Sequence, residues 1–248
     1  MAELDNQKIL NNKNEALNKV NKYLDSWIVQ DKIHAKKANL ISYWLKDFFK
    51  YIEQEETFDS SYLKEYSRGD IIKVNLGFNV GNEEGGLHYC IVLDKKNAKS
   101  HSTLTVIPLT SLKSNSKKRS TSVFLGNEIS LKVAEKAKSI LLSIDRENAI
   151  NYQLKVEKYY HQGILDEITP EEEAAAKDLK DKHILIEKII EEAEQMKVGS
   201  IALINQITTI SKQRIYNPKH DIDVLSGIRL SDEKMALIDE KIKKLYIN

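Results

Sequence analysis

The chain has 248 residues, 30% of them charged, with three prolines, nine glycines and one cysteine, and its 38 basic residues nearly balance its 37 acidic ones. That length allows one large domain or a smaller core with additions, and the lone Cys90 excludes an internal disulfide. No apolar run reaches the roughly 18 residues of a spanning helix and no basic-then-apolar leader opens the chain, so a cytoplasmic protein is expected.

Charge is spread unevenly. Residues 66–127 hold nine basic residues against four acidic ones, and residues 128–197 hold eleven against sixteen. A basic segment next to an acidic one suits a polyanion-binding core, although ordinary solvated faces also carry imbalances of this size.

Residues 1–56 predict helix. Leu17, Val20, Leu24 and Trp27 recur at helical spacing, as do Leu40, Trp44 and Phe48 with Ile41, Leu45 and Ile52, while the polar start up to Lys13 is expected to fray. Asp59, Ser60 and Ser61 close this segment. Residues 71–76 alternate, with Ile72, Val74 and Leu76 on one face and Lys73 and Asn75 on the other, as in a half-buried strand. The polar loop 81–86, containing Glu84, leads to an apolar strand over 89–93, so a hairpin presents His88 where the chain enters its second strand. Cys90 lies within that strand, where a buried structural thiol is commoner than a reactive one.

A third strand over 104–109 delivers Thr110 and Ser111 to its end, with Lys113 just beyond. The run Lys117, Lys118 and Arg119 precedes a fourth strand over 121–125; it reads as a phosphate contact or, more commonly, as a solvated basic turn. Residues 130–196 predict an antiparallel helical hairpin that projects from the core or folds over it. Its seams are Ala137, Leu141 and Ile144 on one helix and Leu179, Ile186, Ile190 and Ala193 on the other, whose start combines Thr169, Pro170 and acidic residues. His161 and His183 have no partners at ligand spacing. Strands return over 200–204 and 206–210, and a last helix begins near Ser231.

Walker, dinucleotide, HExxH, CxxC and serine-elbow signatures are all missing from the sequence, so neither metal nor cofactor is expected. What remain are polar residues at strand ends: His88, Thr110, Ser111 and Lys113, with Arg68, Gln206 and Arg214 as further candidates.

The stretch 68–93, RGDIIKVNLGFNVGNEEGGLHYCIVL, resembles the signature region of the MazF/PemK toxins of type II toxin–antitoxin systems. The segment at Leu109 to Ser111 is similar to the one that carries a functional threonine or serine in that family. Residues 199–215 look like its late strand pair, and SDEKMALIDEKIKKLY looks like its closing helix. The resemblance implies an α+β fold. Its core, residues 66–127 and 198–248, would be a small, strongly curved antiparallel β-barrel-like (SH3-like) sheet, with 1–65 as a helical extension and 128–197 as an inserted helical hairpin.

By the same resemblance the activity would be metal-independent cleavage of single-stranded RNA to 2′,3′-cyclic phosphate and 5′-hydroxyl ends, in a homodimer restrained by a cognate antitoxin. His88 stands where the family's GGxRP motif has its catalytic arginine, and Tyr89 stands in place of the proline. Histidine titrates near neutrality and both gives and takes protons, whereas arginine chiefly donates hydrogen bonds. His88, Thr110 and Ser111 are therefore the implied catalytic set, with Arg68, Glu84, Lys113, Gln206 and Arg214 against the RNA. Three alternatives stay open: a substituted, non-cutting RNA- or protein-binding module, a toxin that poisons a protein target, and a form in which the helical additions cover the basic groove.

Overall fold

The structure is a computed structural model that describes residues 5–112, 120–144, 169–196 and 199–247. Lys113, the 117–119 basic run and His161 lie outside these residues.

Residues Met1–Phe58 and Gly77–Gly81 form one compact unit. Helices α1 (Asn6–Gln30) and α2 (Lys32–Glu53) replace the single helical stretch expected from the sequence. Asp31 divides them: its backbone is extended, and its carboxylate accepts the Ile33 and His34 N–H groups at 2.8 and 2.9 Å, capping α2. Residues 6–13, expected to fray, belong to α1 behind the Asp5 cap. Within this unit Gly77 has φ +82°, and a Cβ there would come within 2.7 Å of the Trp44 ring, so the position takes only glycine.

The second unit holds the sheet: β1 (Tyr66–Ser67), β2 (Ile71–Asn75), β3 (Leu87–Val92), β4 (Lys96–Asn97), β5 (Thr103–Ser111), β6 (Ser122–Gly126), β7 (Ser200–Leu203), β8 (Thr208–Ser211) and β9 (Ile215–Asn217). β1 pairs with β4, and the other seven are antiparallel in the order β6-β7-β5-β3-β2-β9, with β8 also on β5. The mixed helix and antiparallel sheet match the expected α+β class, and no barrel-like closure is found: among the described residues the strand path ends at β6 and β9. β2 also differs from the half-buried reading, because Ile71, Ile72, Lys73 and Val74 are all buried and so both of its faces are covered.

The centre is β5. One of its edges meets β3 from Val92↔Val106 to Cys90↔Pro108. Its other edge meets β8 from Thr103 to Val106 and β7 from Leu109 to Ser111, so β7 and β8 act as two halves of one strand interrupted by a 3₁₀ turn over Ile204–Gln206. Pro108 lies at the interruption, where residues 107 and 108 of β5 face 203–207. The Leu93 N–H donates to the Thr105 carbonyl, so odd-numbered residues of β5 turn their backbone groups to β3 and even-numbered ones turn theirs to β7 and β8. Pro108, with no N–H, thus leaves the ladder without a donor where the two halves part.

Helices α3 (Glu128–Leu142), α4 (Pro170–Gln195) and α5 (Asp232–Tyr246) pack with this sheet. Thr169 opens α4 with a capping box and Pro170 at its first turn, as its sequence predicts. Helices α3 and α4 fold over the core, because Ile129 and Val133 of α3 and Ile189 of α4 lie in the same buried cluster as Ile71, Ile91 and Ile107. Two expected seam positions instead face outward, Leu141 (42% exposed) and Ile190 (47%), and their neighbours Ile140 and Ile189 turn inward. Adjacent apolar pairs make helical phase ambiguous by one residue.

Glu128 ties α3 to α5. Its carboxylate accepts the Ser231 N–H at 2.6 Å and hydroxyl at 2.9 Å, and the Lys132 ammonium lies 2.9 Å away. Burial alone would raise this carboxyl, but the bonds from Lys132 and Ser231 outweigh it and hold it below the usual range. A carboxylate lowered in the folded state contributes stability above its unfolded pKa and loses it as pH falls through the folded value. Glu128→Gln is therefore expected to cost about 1–2 kcal/mol at neutral pH. The gap to wild type should close as pH falls below the ordinary carboxylate range in urea titrations, and a constant gap would contradict it.

Candidate functional site

The site lies where β3 and β5 part. Past Cys90↔Pro108 no further β3–β5 pair forms, and β5 continues with β7, Thr110 opposite Ile201 and Ser111 opposite Ser200. The cleft at this fork is lined by His88, Thr110, Ser111, Ser200 and the end of α4, Gln195 and Met196, among others. Three residues singled out in the sequence are thus brought together by strand pairing.

Strand alternation decides which of them share a face. His88 lies two residues from Cys90 and Thr110 two from Pro108, and Cys90 and Pro108 are opposed, so His88 and Thr110 share one face. Ser111 and Tyr89 belong to the other, the face on which Leu109 meets the core cluster.

His88 is held at both ring nitrogens. Its Nδ1 lies 2.9 Å from the Leu109 carbonyl oxygen and its Nε2 3.2 Å from the Glu84 carboxylate. A carbonyl only accepts, so Nδ1 carries a hydrogen and Nε2 is the nitrogen that faces ionisable chemistry. An ionised Glu84 likewise only accepts, so the Nε2 contact is a hydrogen bond when Nε2 carries a proton.

Glu84 is placed by its loop. The Gln206 side chain accepts the Glu84 N–H at 3.2 Å and donates to the Asn82 carbonyl at 3.1 Å, clamping the loop from the 3₁₀ turn between β7 and β8. Arg214 donates from Nε to the Asn75 carbonyl at 2.8 Å, at the end of β2. Burial pushes the Cys90 thiol far up, with Glu84 adding to that and Arg214 opposing it. Cys90 is fully buried and structural, as its sequence setting predicts.

Arg68 does not line the cleft. It donates to the Leu93 carbonyl at 2.6 Å and pairs with Asp239 of α5, fastening the closing helix to the end of β3.

One cluster escapes the sequence reading. Glu192 of α4 accepts from the Lys73 ammonium at 2.6 Å and from the Tyr89 hydroxyl, and the Lys73 ammonium also lies 5.2 Å from the Tyr89 ring centre and 5.9 Å from that of Tyr216. Burial, then the bond to Glu192, raises the Tyr89 phenol far above its ordinary value. The only hint in the sequence is a lysine inside an otherwise apolar strand. Its partner is 119 residues away.

Comparison with known families gives one match, over residues 67–166, to the family described as PemK-like, MazF-like toxin of type II toxin-antitoxin system. Comparison with curated proteins returns no match.

Proposed function

We propose that this chain, whose residues 67–166 match the family described as PemK-like, MazF-like toxin of type II toxin-antitoxin system, is an endoribonuclease that cuts single-stranded RNA at the β3–β5 fork. The observation that carries the reading is the His88 ring, fixed at Nδ1 by the Leu109 carbonyl, with Nε2 against Glu84 and Thr110 on the same face.

In-line cleavage needs three things: a base for the ribose 2′-hydroxyl, an acid for the departing 5′-oxygen, and donors for the charge that develops on phosphate. The Glu84 carboxylate takes the 2′-hydroxyl proton as that oxygen attacks phosphorus. The bond from phosphorus to the 5′-oxygen breaks, and His88 gives its Nε2 proton to the leaving oxygen. The products are a 2′,3′-cyclic phosphate and a 5′-hydroxyl, and a proton passing from Glu84 to His88 restores the starting state. The Thr110 hydroxyl donates to a phosphate oxygen. In this scheme Gln206 positions Glu84 rather than touching RNA, and Arg214 braces the end of β2 through the Asn75 carbonyl. An antitoxin protein and a second copy of the chain are the proposed partners.

The test is incubation of the purified protein with single-stranded RNA in excess chelator, followed by end analysis. Cyclic-phosphate ends should appear, and Thr110→Ala should slow their appearance by about a hundredfold, the scale of losing one donor to a developing oxyanion. RNA that stays intact with the full chain overturns the reading.

A further inference from the structure

The cleft at the fork, about 160 Å³, takes in both faces: besides His88 and Thr110 it is lined by Tyr89, Ser111, Ser200, Gln195 and Met196. A cavity of about 150 Å³ is known to take a benzene-sized ring. Two of these walls, Gln195 and Met196, come from the end of α4, outside the segment 67–166 that matches the family. The last turn of α4 is anchored: Glu192, three residues before Gln195, is held by Lys73 and Tyr89. The Gln195 side chain is exposed, lines the cleft and has no hydrogen-bond partner among the described residues.

A carboxamide offers one donor and one acceptor side by side, which matches the Watson–Crick edge of a single base. Sequence-specific recognition of RNA works on unstacked bases held in this way, by aromatic or apolar walls and edge hydrogen bonds. We propose that this cleft is a pocket for one pyrimidine base of the RNA and that Gln195 reads its edge. Uracil presents N3–H beside a carbonyl, and cytosine presents an amino group beside N3, so the amide pairs with either. A purine is the larger ring system and is disfavoured by the room available. The inference rests on the nuclease reading for the identity of its ligand. Specificity would then come from the inserted helix and the chemistry from the fork.

Two measurements separate this inference from that reading. The first is direct binding of non-cleavable 2′-O-methyl oligonucleotides, oligo-U and oligo-A of equal length, to the full chain. Wild type should favour oligo-U by about tenfold, the scale of one good bidentate contact, and Gln195→Ala should erase most of that preference while leaving oligo-A binding unchanged. The second is sequencing of the cleavage ends, where one position next to the cut should be a pyrimidine for wild type and lose its bias in Gln195→Ala. If RNA is not cut but the oligo-U preference is present and depends on Gln195, the pocket stands and the nuclease reading falls. Equal binding of the two oligonucleotides by wild type, or a preference that survives Gln195→Ala, overturns the pocket. An equal loss on both sequences also overturns it, because it makes Gln195 a general contact.

Discussion

His88→Ala should lower the rate of RNA cleavage by about 10²–10⁴-fold, the range of a positioned general acid, while RNA binding falls far less. More diagnostic is His88→Arg, which restores the family's residue and its charge but holds no proton to give. That variant should keep RNA affinity and flatten the pH dependence of the cleavage rate relative to wild type. Glu84→Gln should also flatten it, because the carboxamide no longer takes the 2′-hydroxyl proton. If His88→Ala cuts at the wild-type rate, acid–base chemistry at this ring is ruled out, and phosphate binding by Thr110 and its neighbours would have to carry the reaction alone.

Glu192→Ala should be the most damaging single substitution for folding. Lys73 retains only 9% of its exposure, and the change leaves its ammonium and the Tyr89 hydroxyl without the shared acceptor. Breaking a buried pair from one side typically costs about 3–5 kcal/mol. The loss should appear as a lower urea midpoint with an unchanged slope. Replacing both partners, Lys73→Met with Glu192→Leu, should recover most of the stability, because no charge is then stranded. A double variant as unstable as Glu192→Ala would show that the cost came from misplaced packing of α4 and not from the lysine.

The elements that follow local rules were legible before the structure. The strand pair around the 81–86 loop, the Thr169 start of α4 and the Ser231 start of α5 each follow from residues adjacent in the chain. The nearness of His88 to Thr110 was legible only through resemblance, since periodicity says nothing about which strands pair. What stayed hidden depends on long-range contacts. Arg68 looks like a phosphate ligand until Asp239, 171 residues later, is seen to pair with it. Lys73 looks solvent-facing until Glu192 covers it. Asp31 sits in a stretch whose apolar spacing runs through it, so a reading of periodicity alone misses the break that its cap makes.

Pro108 has an influence that its own contacts do not suggest. It lies without an amide proton where two residues of β5 face five across that edge, between Val106↔Thr208 and Leu109↔Ala202, and those five include the turn that carries Gln206. Gln206 grips the 82–84 loop, and that loop carries the carboxylate facing His88. The orientation of the reacting pair is thus inherited from a bond the backbone is unable to make. Pro108→Ala would be silent in any list of active-site contacts, yet it would change the edge on which Gln206 and, through it, Glu84 are seated.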